Sequence, residues 1–152
     1  MRTRKIQSRD AFAWSALRIA FLPEIKDISQ QEVNDFFLGT NPNVKEVFIA
    51  VDDTRQDMIG FIELNLRDNI PGSHQQTTPY IEALFVSPNY QGQGIGKALI
   101  KTAENWSIEE GFHELGSDAP ITNEKSINLH KQLGFTEIER VVCLLKRLPH
   151  DA

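Results

Sequence analysis

Ala13, Leu17 and Phe21 recur at four-residue spacing with Trp14 beside them, which predicts an amphipathic helix capped by Asp10 and stopped at Pro23. Ser29-Gln30-Gln31-Glu32 has the capping-box pattern and opens a second, short helix with Val33, Phe36 and Phe37 on its apolar side and Gly39 at its end. The hydrophobic period then falls to two. Residues 47–51 and 58–67 read as strands joined by the polar turn 52–57, an antiparallel hairpin in which Ile62, Leu64 and Leu66 alternate on one face. Residues 68–79 show no periodicity and predict a loop long enough to line a site.

A third apolar run, 80–86, ends at Ser87-Pro88 and is followed by the glycine cluster Gln91-Gly92-Gln93-Gly94-Ile95-Gly96. After the cluster, Ile95, Leu99, Ala103 and Trp106 form the core face of a helix that stops near Gly111. A short strand at 114–117, a helix over 123–132, the turn Leu133-Gly134-Phe135 and a last strand over 140–145 complete the expected chain. No repeat or low-complexity segment interrupts it, and its 152 residues predict a single domain over 1–152.

Composition narrows the chemistry. The apolar fraction of 40% is that of an ordinary globular protein, and the lone Cys143 supports neither an internal disulfide nor a zinc site, so no metal is expected. Sixteen basic against 21 acidic residues give a formal charge of −5, which argues against a nucleic-acid partner and suits a cationic ligand. The basic start Met1–Lys5 is followed by polar residues where a signal peptide needs an apolar run, and no window approaches the roughly 20 apolar residues of a membrane span. A cytoplasmic protein without a membrane partner is the expectation.

A glycine-rich turn between strand and helix exposes backbone N–H groups at the positive end of a helix dipole, a seat for phosphate. The dinucleotide fingerprint starting at Gly92 fails at Lys97, and the P-loop fails at Gln91 and Ala98. A tight turn without a ligand is the competing reading. The segment does match Gln/Arg-x-x-Gly-x-Gly/Ala, at Gln91, Gly94 and Gly96. Downstream, Asn123 is followed by a helical stretch containing Ser126 and His130 and by the closing Gly134-Phe135.

Those two signatures, in that order and in a strand–turn–helix setting, resemble the GCN5-related N-acetyltransferase superfamily. The likeness extends over residues 4–146. Trp14, Leu17 and Arg18, the loop start Arg67-Asp68, Glu82, Ser117-Asp118, Asn123, Ser126, His130 and Glu139-Arg140-Val141 resemble the small dimeric aminoglycoside 6′-N-acetyltransferases in particular. The resemblance implies an α/β fold in which a mixed, mostly antiparallel sheet is flanked by helices and splays into an acetyl-CoA cleft. It implies a cofactor site in which Gln91, Gly92, Gln93, Gly94, Ile95 and Gly96 surround the pyrophosphate and backbone groups near Leu84 and Val86 pair with the pantetheine arm. Asn123, Ser126 and His130 are implied as further cofactor contacts, and the assembly as a homodimer.

For the acceptor, Glu82 is an acid inside an apolar strand, an unfavourable place for a charge unless it faces a cleft or a partner. Strand alternation could equally put it on a solvated face. Asp118 is by resemblance a substrate carboxylate and a base acting directly or through water; an ordinary turn Asp before Pro120 fits the residues as well. Glu139 is implied to reach the neighbouring subunit's substrate site, with Glu137 as its alternative, and Trp14 lies on the helix implied to border the acceptor. His130 stands where much of the superfamily has a Tyr proton donor, leaving a cofactor contact or a packed imidazole as its other roles. Cys143 reads as core.

The expected activity is direct acetyl transfer from acetyl-CoA to a primary amine, the 6′-amine of an aminoglycoside foremost, in a ternary complex with Glu82 and Asp118 as the catalytic pair. A different amine acceptor (a polyamine, a small metabolite or a protein N-terminus) and a non-catalytic acyl-CoA-binding module are the rivals.

Overall fold

The computed structural model describes residues 1–150; Asp151 and Ala152, the end of the expected domain, lie outside them. The chain divides into two compact units, Met1–Asp118 and Ala119–Ala152. The first contains a four-stranded antiparallel sheet in the order β1 (Arg2–Lys5), β2 (Glu46–Val51), β3 (Met58–Asp68), β4 (Thr77–Val86). It also contains α1 (Ala11–Phe21), α2 (Ser29–Leu38) and α3 (Ile95–Glu109). The second unit contains α4 (Glu124–Gln132).

The predicted hairpin of β2 and β3 forms, with Ile49 opposite Phe61 and Val47 opposite Glu63. β3 is buried at every position from Ile59 to Asn65, because both of its faces are covered. One face carries Val47, Ile49, Val51 and Phe61 into a core with Trp14 and Val33 of α1 and α2. The other packs under α3, where Gly60 approaches so closely that a Cβ there would lie 2.8 Å from the Phe85 carbonyl and 3.3 Å from Leu99.

The alternation expected for α1 is displaced by one residue. Trp14, Ser15 and Arg18 are buried, whereas Ala13 is exposed and Phe21 partly so. The cause is a buried partner: Glu63 accepts from the Trp14 indole at 3.0 Å and from Arg18 Nε at 2.9 Å. Burial pushes the Glu63 carboxyl upward while Arg18 and Trp14 oppose that shift. The capping box at Ser29 does not form. Ser29 is itself buried, exchanging its hydroxyl with Ser15 and accepting from Arg18, and Ile28 occupies the cap position.

Three further expectations are corrected. β4 starts at Thr77 rather than at 80, so the loop is shorter than expected. The strand at 114–117 reduces to one parallel bridge between Tyr80 and Gly116. Residues 140–145 form no strand, and Cys143 is exposed rather than core, since nothing pairs that segment into a sheet among the described residues. β1 went unpredicted; its four polar residues pair with β2 and carry no apolar alternation.

Candidate active site

The glycine turn lies between β4 and α3. Gly92 and Gly94 sit at φ of 78° and 81°, where a side chain would meet no neighbour but the backbone would be strained. The first intrahelical bond of α3 runs from Ala98 N–H to Gly94 C=O, which leaves the N–H groups of Ile95, Gly96 and Lys97 at the helix's positive end. Gln91 fastens the turn to the strand, its Nε2 donating to the Val86 carbonyl at 3.1 Å. The residues present therefore fit a diphosphate: positive-φ glycines, open helix amides and no acidic side chain from Gln91 to Lys97.

β4 is the last strand of the sheet, and past its outer edge the bridge to Gly116 is the pairing found among the described residues. Ser87 N–H donates to Ile59 on β3, so alternation turns the backbone groups of Leu84 and Val86 toward the outer edge. An extended amide-bearing chain can add there as a strand would.

The register between β3 and β4 slips once. Glu63 faces Ala83 and Leu64 faces Ile81, so Glu82 is the extra residue of a β-bulge. The bulge brings Glu82 onto Arg67, whose Nε and Nη2 donate to its two oxygens at 2.6 Å each. The guanidinium also lies over the Tyr80 ring, 3.9 Å from the centroid. Tyr80 in turn donates its hydroxyl to Asp118 Oδ2 at 2.7 Å. Burial, reinforced by the Asp118 carboxylate, pushes the Tyr80 phenol far above its ordinary value, so it remains a donor. A Cβ on Gly116 would lie 2.8 Å from the Tyr80 ring, and only glycine allows the ring its place.

Two expected site acids, Glu82 and Asp118, thus meet in one cluster through Arg67 and Tyr80. Sequence reasoning assigned no role to Tyr80 and used Arg67 only for resemblance. The available signal was spacing: Tyr80 and Glu82 stand two apart on a strand, and a buried acid asks for a cation.

Trp14 is 1% exposed with its N–H committed to Glu63, which makes it a core residue of the first unit. In the second unit Asn123 caps α4, its Oδ1 accepting from Ser126 N–H at 3.1 Å. His130 Nδ1 lies 2.7 Å from the Ser126 carbonyl, which can only accept, so Nδ1 is the donor of this bond. Its ring packs edge-on against Phe135. Glu139 is exposed, and Glu137 is engaged by Arg140 and Lys131, with Arg140 pulling its carboxyl below the usual range. Among the described residues no group of His, Cys, Asp and Glu could hold a metal, and no helix is long and apolar enough to cross a membrane.

Known proteins resemble this chain over most of its length. Residues 11–135 match the sequence profile of the acetyltransferase (GNAT) family. The aminoglycoside N(6′)-acetyltransferase type 1 of Klebsiella aerogenes is 32% identical over 146 residues, 95% of either chain. The structure of AAC(6′)-Iy in complex with the bisubstrate analogue CoA-S-monomethyl-acetylneamine is similar at a TM-score of 0.85 and 28% identity, over 97% of this chain and 98% of that one. AAC(6′)-Ih from Acinetobacter baumannii is similar at a TM-score of 0.82 and 30% identity, over 97% and 99%.

Proposed function

Since the chain belongs to the acetyltransferase (GNAT) family, we propose that it moves an acetyl group from acetyl-CoA to an amine of an aminoglycoside, the 6′-amine foremost. The glycine turn, with Gln91, Gly92, Gln93, Gly94, Ile95 and Gly96, takes the pyrophosphate, and the outer edge at Leu84 and Val86 takes the pantetheine amides.

The observation that carries the acceptor assignment is the Glu82–Arg67–Tyr80–Asp118 cluster, built on Tyr80 and Glu82 of β4, the strand that leads into the glycine turn. An amine must be neutral to attack the thioester carbonyl, while the other ammonium groups of a polycationic sugar need anionic partners. Asp118 is exposed and accepts from Tyr80 at Oδ2, so its other oxygen is placed to accept the attacking amine's proton directly or through water. The N–C bond forms, the C–S bond breaks and the thiolate leaves protonated from solvent. Glu82 holds a second ammonium. The reaction needs no covalent enzyme intermediate, in keeping with direct transfer in a ternary complex. Glu139 is proposed to reach the site of a neighbouring subunit in a homodimer, and a cytoplasmic setting suits the single unpaired cysteine.

The test is CoA release measured against aminoglycosides, polyamines and peptides. Aminoglycoside turnover should exceed the others, and Glu82→Gln or Asp118→Asn should each lower it by about 10-fold or more while acetyl-CoA binding stays nearly intact, as expected for lost charged hydrogen bonds of ~1.5–3 kcal/mol. Activity should fall toward acid pH as the reacting amine becomes harder to deprotonate. A preference for polyamines or peptides would replace the acceptor assignment, and equal loss of cofactor binding in both variants would make the two acids structural.

A further inference from the structure

We propose that Arg67 is a positioning residue that fixes Glu82 and Asp118 as one acceptor-recognition unit, an inference that rests on the acetyl-transfer reading above. Arg67 touches both arms of the cluster. Its edge grips Glu82 through two parallel bonds of 2.6 Å, and its face lies 3.9 Å from the centre of the ring that holds Asp118. No other arrangement of a single side chain provides both contacts: a lysine has neither the fork nor the flat face.

The geometry also explains how a bulged carboxylate survives on β4. The Glu82 side chain is 17% exposed, and so confined an anion is held in place by the paired charge of Arg67. Arg67 takes one lone pair on each Glu82 oxygen, and each oxygen keeps further accepting capacity for a ligand. The cluster of Arg67, Glu82 and Asp118 then has a formal charge of −1, and the acceptor cation is drawn to a pair of carboxylates whose separation is set by the Tyr80 ring and the Arg67 plane. Selectivity among amines would follow from that fixed separation, since acceptors with differently spaced ammonium groups could satisfy one carboxylate but not both.

The test is a double-mutant cycle in kcat/KM for neamine, with the KM for acetyl-CoA and the calorimetric binding of neamine measured alongside. Arg67→Met and Arg67→Lys should each lower kcat/KM for neamine about 10- to 100-fold, with the KM for acetyl-CoA unchanged. In a Glu82→Gln background Arg67→Met should cost little more, because its partner is already gone. Tyr80→Phe, which keeps the stacked ring and removes the hydroxyl, should likewise become nearly silent beside Asp118→Asn. The paired variant Arg67→Met/Glu82→Gln leaves no unmatched charge and serves if Arg67→Met alone folds poorly. Full activity of Arg67→Lys, or an equal loss from Arg67→Met with and without Glu82, would overturn the role of Arg67 while leaving the acetyl-transfer reading intact. An unaltered enzyme that neither binds neamine nor releases CoA with it would overturn both.

Discussion

Gly94 shows how a single backbone angle connects the cofactor loop to the helix behind it. At φ of 81° it sits in the left-handed region, and a Cβ built there meets no atom within 4 Å. The requirement for glycine is therefore conformational before it is spatial. Gly94→Val should store about 1–2 kcal/mol of local strain and shift the turn, lowering acetyl-CoA affinity at least about 10-fold by calorimetry. Unchanged affinity would mean that the loop does not hold the cofactor. The glycine cluster was legible in sequence because its chemistry is local, with spacing and neighbours adjacent in the chain. Glu63 was not. It lies in a strand whose alternation was read on Ile62, Leu64 and Leu66, and its partners Trp14 and Arg18 belong to a helix far off in sequence, so nothing nearby marked it as a buried anion. Glu82 falls between the two cases. The oddity of an acid in an apolar strand was visible, but the bulge that turns it onto Arg67 depends on the register of β3 against β4.

At the scale of elements, β1 is the clearest case of structure without a sequence pattern. Arg2, Thr3, Arg4 and Lys5 offer no alternation, yet the strand pairs with β2 and is tied down by Arg4, whose Nη1 and Nη2 donate to the two oxygens of Asp10 at 2.8 and 2.9 Å. Asp10, expected as a simple helix cap, instead accepts from Arg4 and from Gln7 N–H, and Arg4 first of all pulls its carboxyl below the ordinary range. The sign of the pH dependence follows. The unfolded chain holds this proton near the ordinary Asp value of about 3.9, so the tie contributes fully above that pH and is lost as pH falls through the depressed native value. Asp10→Asn should cost about 1–3 kcal/mol near neutral pH, and the difference in stability from the unaltered protein should shrink below about pH 4. Thermal unfolding across pH 3–7 checks it; a difference that stays constant over that range would remove Asp10 from the acid response. Helix α3 was readable because its amphipathic spacing and its glycine stop lie within the segment. The strand expected over 140–145 did not form, since a strand needs a neighbour and its own residues cannot supply one.

At the scale of the whole molecule, the segment that lacks a sheet partner is also the most apolar exposed stretch of the chain. Val141, Val142, Leu144, Leu145 and Leu148 are all at least 70% exposed, and Val142 and Leu144 reach 83% and 89%. Isolated apolar side chains are common on surfaces, but five exposed within eight positions of one segment form a concentration of the kind that marks an interaction site. Each gains about 1.5–3 kcal/mol when fully buried, so covering most of them offsets the lower part of the ~4–15 kcal/mol cost of association. A second copy of the chain is the occupant proposed here, because a two-fold interface presents the same patch from both sides and would carry Glu139, three residues before Val142, toward the partner's acceptor site. Light scattering should give twice the mass of the 152-residue chain at micromolar concentration. Val142→Asp together with Leu144→Asp should shift the protein to single chains and lower aminoglycoside turnover. Glu139→Gln should weaken turnover in the dimer and have no effect in the dissociated variant. A single-chain mass for the unaltered protein at working concentrations would take Glu139 out of the site and leave acceptor recognition to Glu82, Asp118 and the arginine that joins them.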